Sequence, residues 1–157
     1  MIINLTVFVL IFLLSGCTEK AFKPVPDAFF LWTKPEMSLV DSKKALLECG
    51  LPTPVGMGEG FSRMTDNEYA AVTVCMQRLG YTFKYGASRT MCKARPELNL
   101  PACQPGAKIP APSAERRLNS AYCKRKRDYQ FCKDTAPNSA ACERMDFNNP
   151  PPPECLP

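Results

Sequence analysis

Ser38-Leu39-Val40-Asp41-Ser42-Lys43-Lys44-Ala45-Leu46-Leu47-Glu48-Cys49-Gly50 is the stretch from which the architecture follows. Ser38 is a good N-cap, Asp41 suits the first turn, and Leu39, Leu46 and Cys49 recur at helical spacing. Gly50 then supplies the left-handed residue on which a helix ends. The pattern occurs twice. Thr65-Asp66-Asn67-Glu68 is a Thr-x-x-Glu capping box, after which Tyr69, Val72, Met76 and Leu79 form an apolar stripe that stops at Gly80. Leu51 to Met64, with two Pro and three Gly, reads as a loop of about fourteen residues. Two helices so joined bury their stripes by packing as an antiparallel hairpin. Cys49 ends the first and Cys75 lies beside the stripe of the second. A bridge between them closes a loop of 27 residues, worth roughly 3 to 4 kcal/mol in the chain-entropy account.

Outside this hairpin the composition is unusual. The 157 residues include nine Cys, sixteen Pro and no His, with a net charge of +5. Eleven of the 34 Leu, Ile, Val and Phe lie in the first sixteen positions, leaving 23 among the other 141 residues. That density is below the roughly 20% under which a chain struggles to build an ordinary core. Eight Cys beyond position 17 offer the remedy used by small exported domains, a disulfide framework. The expected fold class is therefore mainly α, small and disulfide-rich: a helical hairpin, then an irregular Cys- and Pro-rich half with one further helix.

Without His there is no Ser/His/Asp or Cys/His catalytic apparatus and no His-containing zinc site. No two Cys stand closer than nine positions, so the Cys-x-x-Cys redox and zinc-knuckle spacings are missing as well. No cofactor is implied, and a non-enzymatic protein is expected. A cell-wall hydrolase would have to draw on carboxylates such as Glu59, Asp66 and Glu68, of which Asp66 and Glu68 already suit a first helical turn.

The N-terminus reads as an address. Met1 to Leu14 is an apolar run, too short for the ~20 residues that span a bilayer, and small residues follow it in Leu14-Ser15-Gly16-Cys17. This resembles a bacterial lipoprotein signal peptide with its lipobox, although no Lys or Arg precedes the run. The resemblance implies cleavage before Cys17, thioether diacylation of Cys17 and acylation of the new amine. Thr18, rather than Asp, follows, which points to the outer membrane, on its periplasmic face or at the cell surface. The expected organisation is a signal peptide over 1–16, a lipidated tether over 17–37, the hairpin over 38–85 and a basic Cys/Pro-rich region over 86–157. Phe22, Phe29, Phe30, Leu31 and Trp32 in the tether either dock on the folded part or rest at the lipid interface.

Trp32-Thr33-Lys34-Pro35, Glu48-Cys49-Gly50 and Cys75-Met76-Gln77-Arg78-Leu79-Gly80-Tyr81 together resemble a group of small proteobacterial lipoproteins with Trp-x-Lys-Pro, Glu-Cys-Gly and Cys-Met-x-x-x-Gly-aromatic motifs. Leu100 to Ala107 and Glu115-Arg116-Arg117-Leu118-Asn119 extend the likeness over most of the chain beyond Cys17. The resemblance implies a location and an architecture, and carries no activity.

In the second half, Tyr81 to Tyr85 alternates around Phe83 as a short strand would, or simply leads out of the helix. Arg95 to Pro112, with five Pro, reads as a loop pinned by Cys92 and Cys103. Ser113 caps a helix expected from Ala114 to about Lys126, and beyond Cys132 the chain is expected to be irregular with a polyproline-like end. Eight Cys allow about 105 pairings. Spacing favours neighbours: Cys49 with Cys75, Cys92 with Cys103, Cys123 with Cys132, and Cys142 with Cys155. Charge is concentrated between Lys84 and Asp134, where twelve Lys or Arg face four acids. Its densest point is Lys124-Arg125-Lys126-Arg127, either a patch for an anionic ligand such as lipopolysaccharide or nucleic acid, or a solvated helix end favoured by the helix dipole. The expected partners are thus the membrane through the lipid, an envelope protein, and an anionic surface or ligand.

Overall fold

Ser38 starts the first helix, α1 (Leu39–Glu48), by a reciprocal cap: its hydroxyl accepts from the Asp41 backbone N–H, and the Asp41 carboxylate accepts from the Ser38 backbone N–H at 2.8 Å. Thr65 and Glu68 cap α2 (Asp66–Arg78) in the same way. Both helices close on the expected glycine. With Gly50 at φ 103° the Leu51 N–H reaches the Leu46 carbonyl at 2.9 Å, and with Gly80 at φ 82° the Tyr81 N–H reaches the Met76 carbonyl at 3.0 Å. These are Schellman closures, and each folds the apolar residue after the glycine back into the core. The computed structural model from which these contacts are taken describes residues 26–56 and 64–157. The signal peptide, Cys17 and Glu59 lie outside the described residues.

The two helices meet near their C-terminal ends, Cys49 closing the first and Cys75 lying in the last turns of the second. The C-terminal end of α2 sits by the chain leading into α1, where the Lys34 ammonium donates to the Leu79 carbonyl at 2.8 Å. The strands β1 (Trp32–Thr33) and β2 (Thr82–Phe83) pair antiparallel beside this contact, with Trp32 opposite Phe83. Cys49, at the far end of α1, bridges to Cys75. The first turn of α2 meets the 3-10 turn Pro101–Cys103, whose Ala102 N–H donates to the Asn67 side chain.

The core at this junction gathers Phe29, Trp32, Leu46, Leu51, Val72, Met76 and Tyr81. Two sequence expectations change here. Phe29 and Trp32 are buried in the core, so much of the segment expected as tether belongs to the fold from Ala28 onward. Of the two alternatives for the aromatics, docking is the one that holds for this pair, whereas Phe30 stays exposed. Leu39, placed on the α1 stripe by spacing, is 50% exposed. The buried side of α1 is instead Ser42, Ala45, Leu46 and Leu47, because α1 is covered on two sides.

What covers the second side is the basic half. Leu47 packs with Cys123, Cys155 and Tyr122 in a small separate cluster. The single helix expected from Ala114 to Lys126 is two, α4 (Ala114–Asn119) and α5 (Ala121–Arg127); between them Ser120 leaves helical geometry at ψ 147° and its hydroxyl caps α5. Next comes α6 (Tyr129–Thr135), capped by Asp128, which runs past Cys132 into the stretch expected to be irregular, and that stretch also holds α7 (Ala140–Glu143). A short α3 (Met91–Ala94) precedes the Pro-rich loop.

Disulfide pairing is half as expected. Cys49–Cys75 and Cys92–Cys103 form, but the other four Cys pair as Cys123–Cys155 and Cys132–Cys142, not as Cys123–Cys132 and Cys142–Cys155. The reason is helical. Cys132 on α6 faces Cys142 on α7 as a local hairpin staple, while Cys123 faces α1 and receives the returning C-terminus. Cys92 and Cys103 are half-buried, whereas the other six bridged Cys are buried. Limiting reductant followed by alkylation is therefore expected to label Cys92 and Cys103 first, read by peptide mass mapping. Earlier labelling of Cys123 and Cys155 would contradict this packing.

Candidate functional site

Gly50 turns the chain after α1 so that Pro52 to Val55 runs back beside α2, and α4 and α5 stand opposite. Between these walls lies a groove of about 730 Å³. Its lining is apolar at Val55, Met64, Ala71 and Val72 and polar or charged at Glu68, Arg116, Tyr122 and Arg125. Volume and lining match those of small-molecule sites, which are mostly apolar with a few placed polar groups.

The charged groups are not equivalent. Glu68 is already engaged, accepting from the Thr65 backbone N–H at 2.7 Å and the Thr65 hydroxyl at 2.9 Å. Those two bonds hold its carboxyl below the usual range. Arg116 is held in place from behind, its Nη1 donating to the Glu48 carbonyl at 2.5 Å and the Ala111 carbonyl at 3.2 Å. Arg125 is different. Its Nε is buried with no hydrogen-bond partner, and among the described residues its guanidinium has no ion pair.

The run Lys124 to Arg127 does not make one patch. Successive residues on α5 are about 100° apart around its axis, so the four side chains diverge. Lys124 lies over the Phe131 ring at 5.9 Å and Lys126 over the Tyr122 ring at 5.7 Å. Arg127 donates to the Cys123 carbonyl at 3.3 Å and also to the Leu118 carbonyl. Only Arg125 enters the groove, beside Arg116, which comes from α4.

A second polar cluster lies where the C-terminus crosses α1. Glu154 is 2% exposed and accepts from the Tyr122 hydroxyl at 2.7 Å and the Lys43 ammonium at 3.2 Å. Burial opposes its charge, but Tyr122, its own backbone N–H and Lys43 prevail, and Glu154 titrates below the ordinary carboxylate value. Tyr122 is correspondingly pushed up, by burial and then by that carboxylate. Arg117 completes the cluster, with Nε on the Glu48 carboxylate at 2.9 Å and Nη1 on the Glu154 and Leu156 carbonyls. Sequence reading singled out none of Arg117, Tyr122 and Glu154 as a functional or structural centre. Their partners stand far away along the chain, so no local spacing signals them.

Among the described residues no three His, Cys, Asp or Glu side chains gather as a metal site, and no helix is long and apolar enough to cross a membrane. No protein-family model, curated protein or solved structure matches the chain.

Proposed function

We propose that the chain is a lipid-anchored protein of the bacterial envelope: a non-enzymatic, disulfide-stapled interaction module held to the outer membrane through acylated Cys17. One observation carries this reading. The eight Cys beyond position 17 are joined to one another in four bridges, a framework complete without the Cys that ends the lipobox-like Leu14-Ser15-Gly16-Cys17. Four bridges suit an oxidising compartment, and acyl chains on Cys17 hold such a chain to a membrane, each buried methylene contributing roughly 0.8 kcal/mol. The basic run supports an anionic surface less well than its sequence suggests, since three of its four side chains are engaged within the protein. Metabolic labelling with an alkyne fatty acid is expected to mark the wild-type chain, and Cys17→Ser is expected to abolish the label and shift the protein to the aqueous phase of a detergent separation. A wild-type protein that takes no label and partitions into water overturns the reading.

A further inference from the structure

We propose that the groove between α2 and the α4–α5 pair is a binding site for a small amphiphilic anion, an apolar body bearing a single carboxylate, with Arg125 as its counter-ion. The inference goes beyond membrane attachment and does not depend on it, because every wall named here belongs to the folded part of the chain.

Three observations converge. A buried donor without an acceptor is rare in a folded protein, since each such group forgoes the hydrogen bonds it would have in water. Arg125 Nε is such a donor, and it is the only side-chain atom of this kind among the described residues. The other cations of α5 have found rings or carbonyls, so Arg125 lacks a partner through its position at the groove rather than through a general shortage of acceptors. Second, the site has an excess of positive charge. Among the described residues of its lining, Arg116 and Arg125 stand with one carboxylate, Glu68, and that carboxylate is spent on the Thr65 cap. An anion entering the groove meets one guanidinium already fixed on the Glu48 and Ala111 carbonyls and a second with donors to spare. A planar guanidinium fork matches a carboxylate with two parallel bonds, and surrounding apolar walls strengthen them by excluding water.

Third, Val55, Met64, Ala71 and Val72 give the same groove an apolar lining. A bare inorganic anion would leave that surface unfilled, and a neutral apolar molecule would leave Arg125 unpaired. An amphiphilic anion satisfies both. Met64 adds an adaptable, polarizable contact that tolerates variation in the apolar body.

Calorimetric titration of the full chain carrying Cys17→Ser, so that its own acyl groups do not compete, tests the site with three probes: decanoate, decanol and acetate. Decanoate is expected to bind with a stoichiometry of one, decanol at least roughly tenfold more weakly and acetate not measurably, given the strength of hydrogen bonds between charged groups. Arg125→Gln is expected to bring decanoate down to the affinity of decanol while leaving decanol unchanged. Ala71→Phe fills the apolar wall and is expected to weaken both. Circular dichroism and intact-mass counting of four disulfides establish that each variant is folded. Failure of the wild-type groove to bind decanoate, equal decanoate affinity in Arg125→Gln, or undiminished binding in Ala71→Phe overturns the proposal. Loss of acylation at Cys17 bears only on the membrane reading and leaves this result unaffected.

Discussion

Arg117→Met is expected to destabilise the protein by about 2–4 kcal/mol, below the full range for a buried pair because Glu48 is 25% exposed and keeps some water. Arg117 is 3% exposed and its guanidinium is shared by three acceptors on two segments: the Glu48 carboxylate on α1, and the Glu154 and Leu156 carbonyls on the C-terminal tail. Methionine fills much of the volume but satisfies none of these acceptors, and Glu48 is left beside an apolar neighbour. Arg117→Lys is expected to recover only part of the loss, because a single ammonium cannot serve two directions with a rigid fork. Against a total of roughly 5–15 kcal/mol for a small domain, the effect is large. Urea unfolding with all disulfides intact measures it. A loss below about 1 kcal/mol would mean that the tail is held to α1 by something other than Arg117.

Replacing Cys123 and Cys155 together by Ala is expected to cost about 4 kcal/mol from chain entropy alone, since the two are 32 positions apart. The equivalent replacement of Cys132 and Cys142, 10 positions apart, is expected to cost about 3 kcal/mol. The larger difference lies in what comes loose. Cys123–Cys155 is packed on Leu47 and brings Glu154 against Tyr122 and Lys43, so its removal is expected to expose α1, whereas losing Cys132–Cys142 frees only α6 and α7. Thermal unfolding gives the stability order, and amide hydrogen exchange at Leu47 gives the location. Equal Leu47 protection in the two variants would contradict the assignment of the C-terminal tail as a cover for α1. The Arg117 and Cys155 effects should not add, because both act on the same tail.

The local signals and the structure agree at α1 and α2, where the capping partners lie within a few residues. Ser38 with Asp41 and Thr65 with Glu68 are complete capping units, and Gly50 and Gly80 end their helices by a conformation that glycine adopts at little cost. The breaks missed in the basic half obeyed the same chemistry. Ser120 accepts from the Cys123 N–H and Asp128 from the Phe131 N–H, so both caps were written in the chain, but a dense run of helix-forming Lys and Arg obscured them. Leu39 departs from the spacing for the opposite reason. Its spacing fits a stripe, yet which side of α1 is buried depends on two neighbours that the spacing does not contain.

The candidate groove was legible only in its parts. Gly50, Val72 and Arg125 each had a local reading, and nothing in the spacing said that α4, more than sixty positions beyond α1, would bring Arg116 to face them. The disulfides divide in the same manner. Cys49–Cys75 and Cys92–Cys103 join neighbours along the chain, and neighbour pairing found them. Cys123 passes over the nearer Cys132 for Cys155, because burial of Leu47 and of the Glu154 network draws the tail onto α1. Capping, helix termination, the need for disulfides and the class of fold were thus already contained in the chain, since each rests on backbone hydrogen bonds or composition within reach of a few residues. Which face of α1 is buried, which Cys meet and where a cation is left without a partner were decided by tertiary packing, because those outcomes depend on groups that only long-range burial brings together.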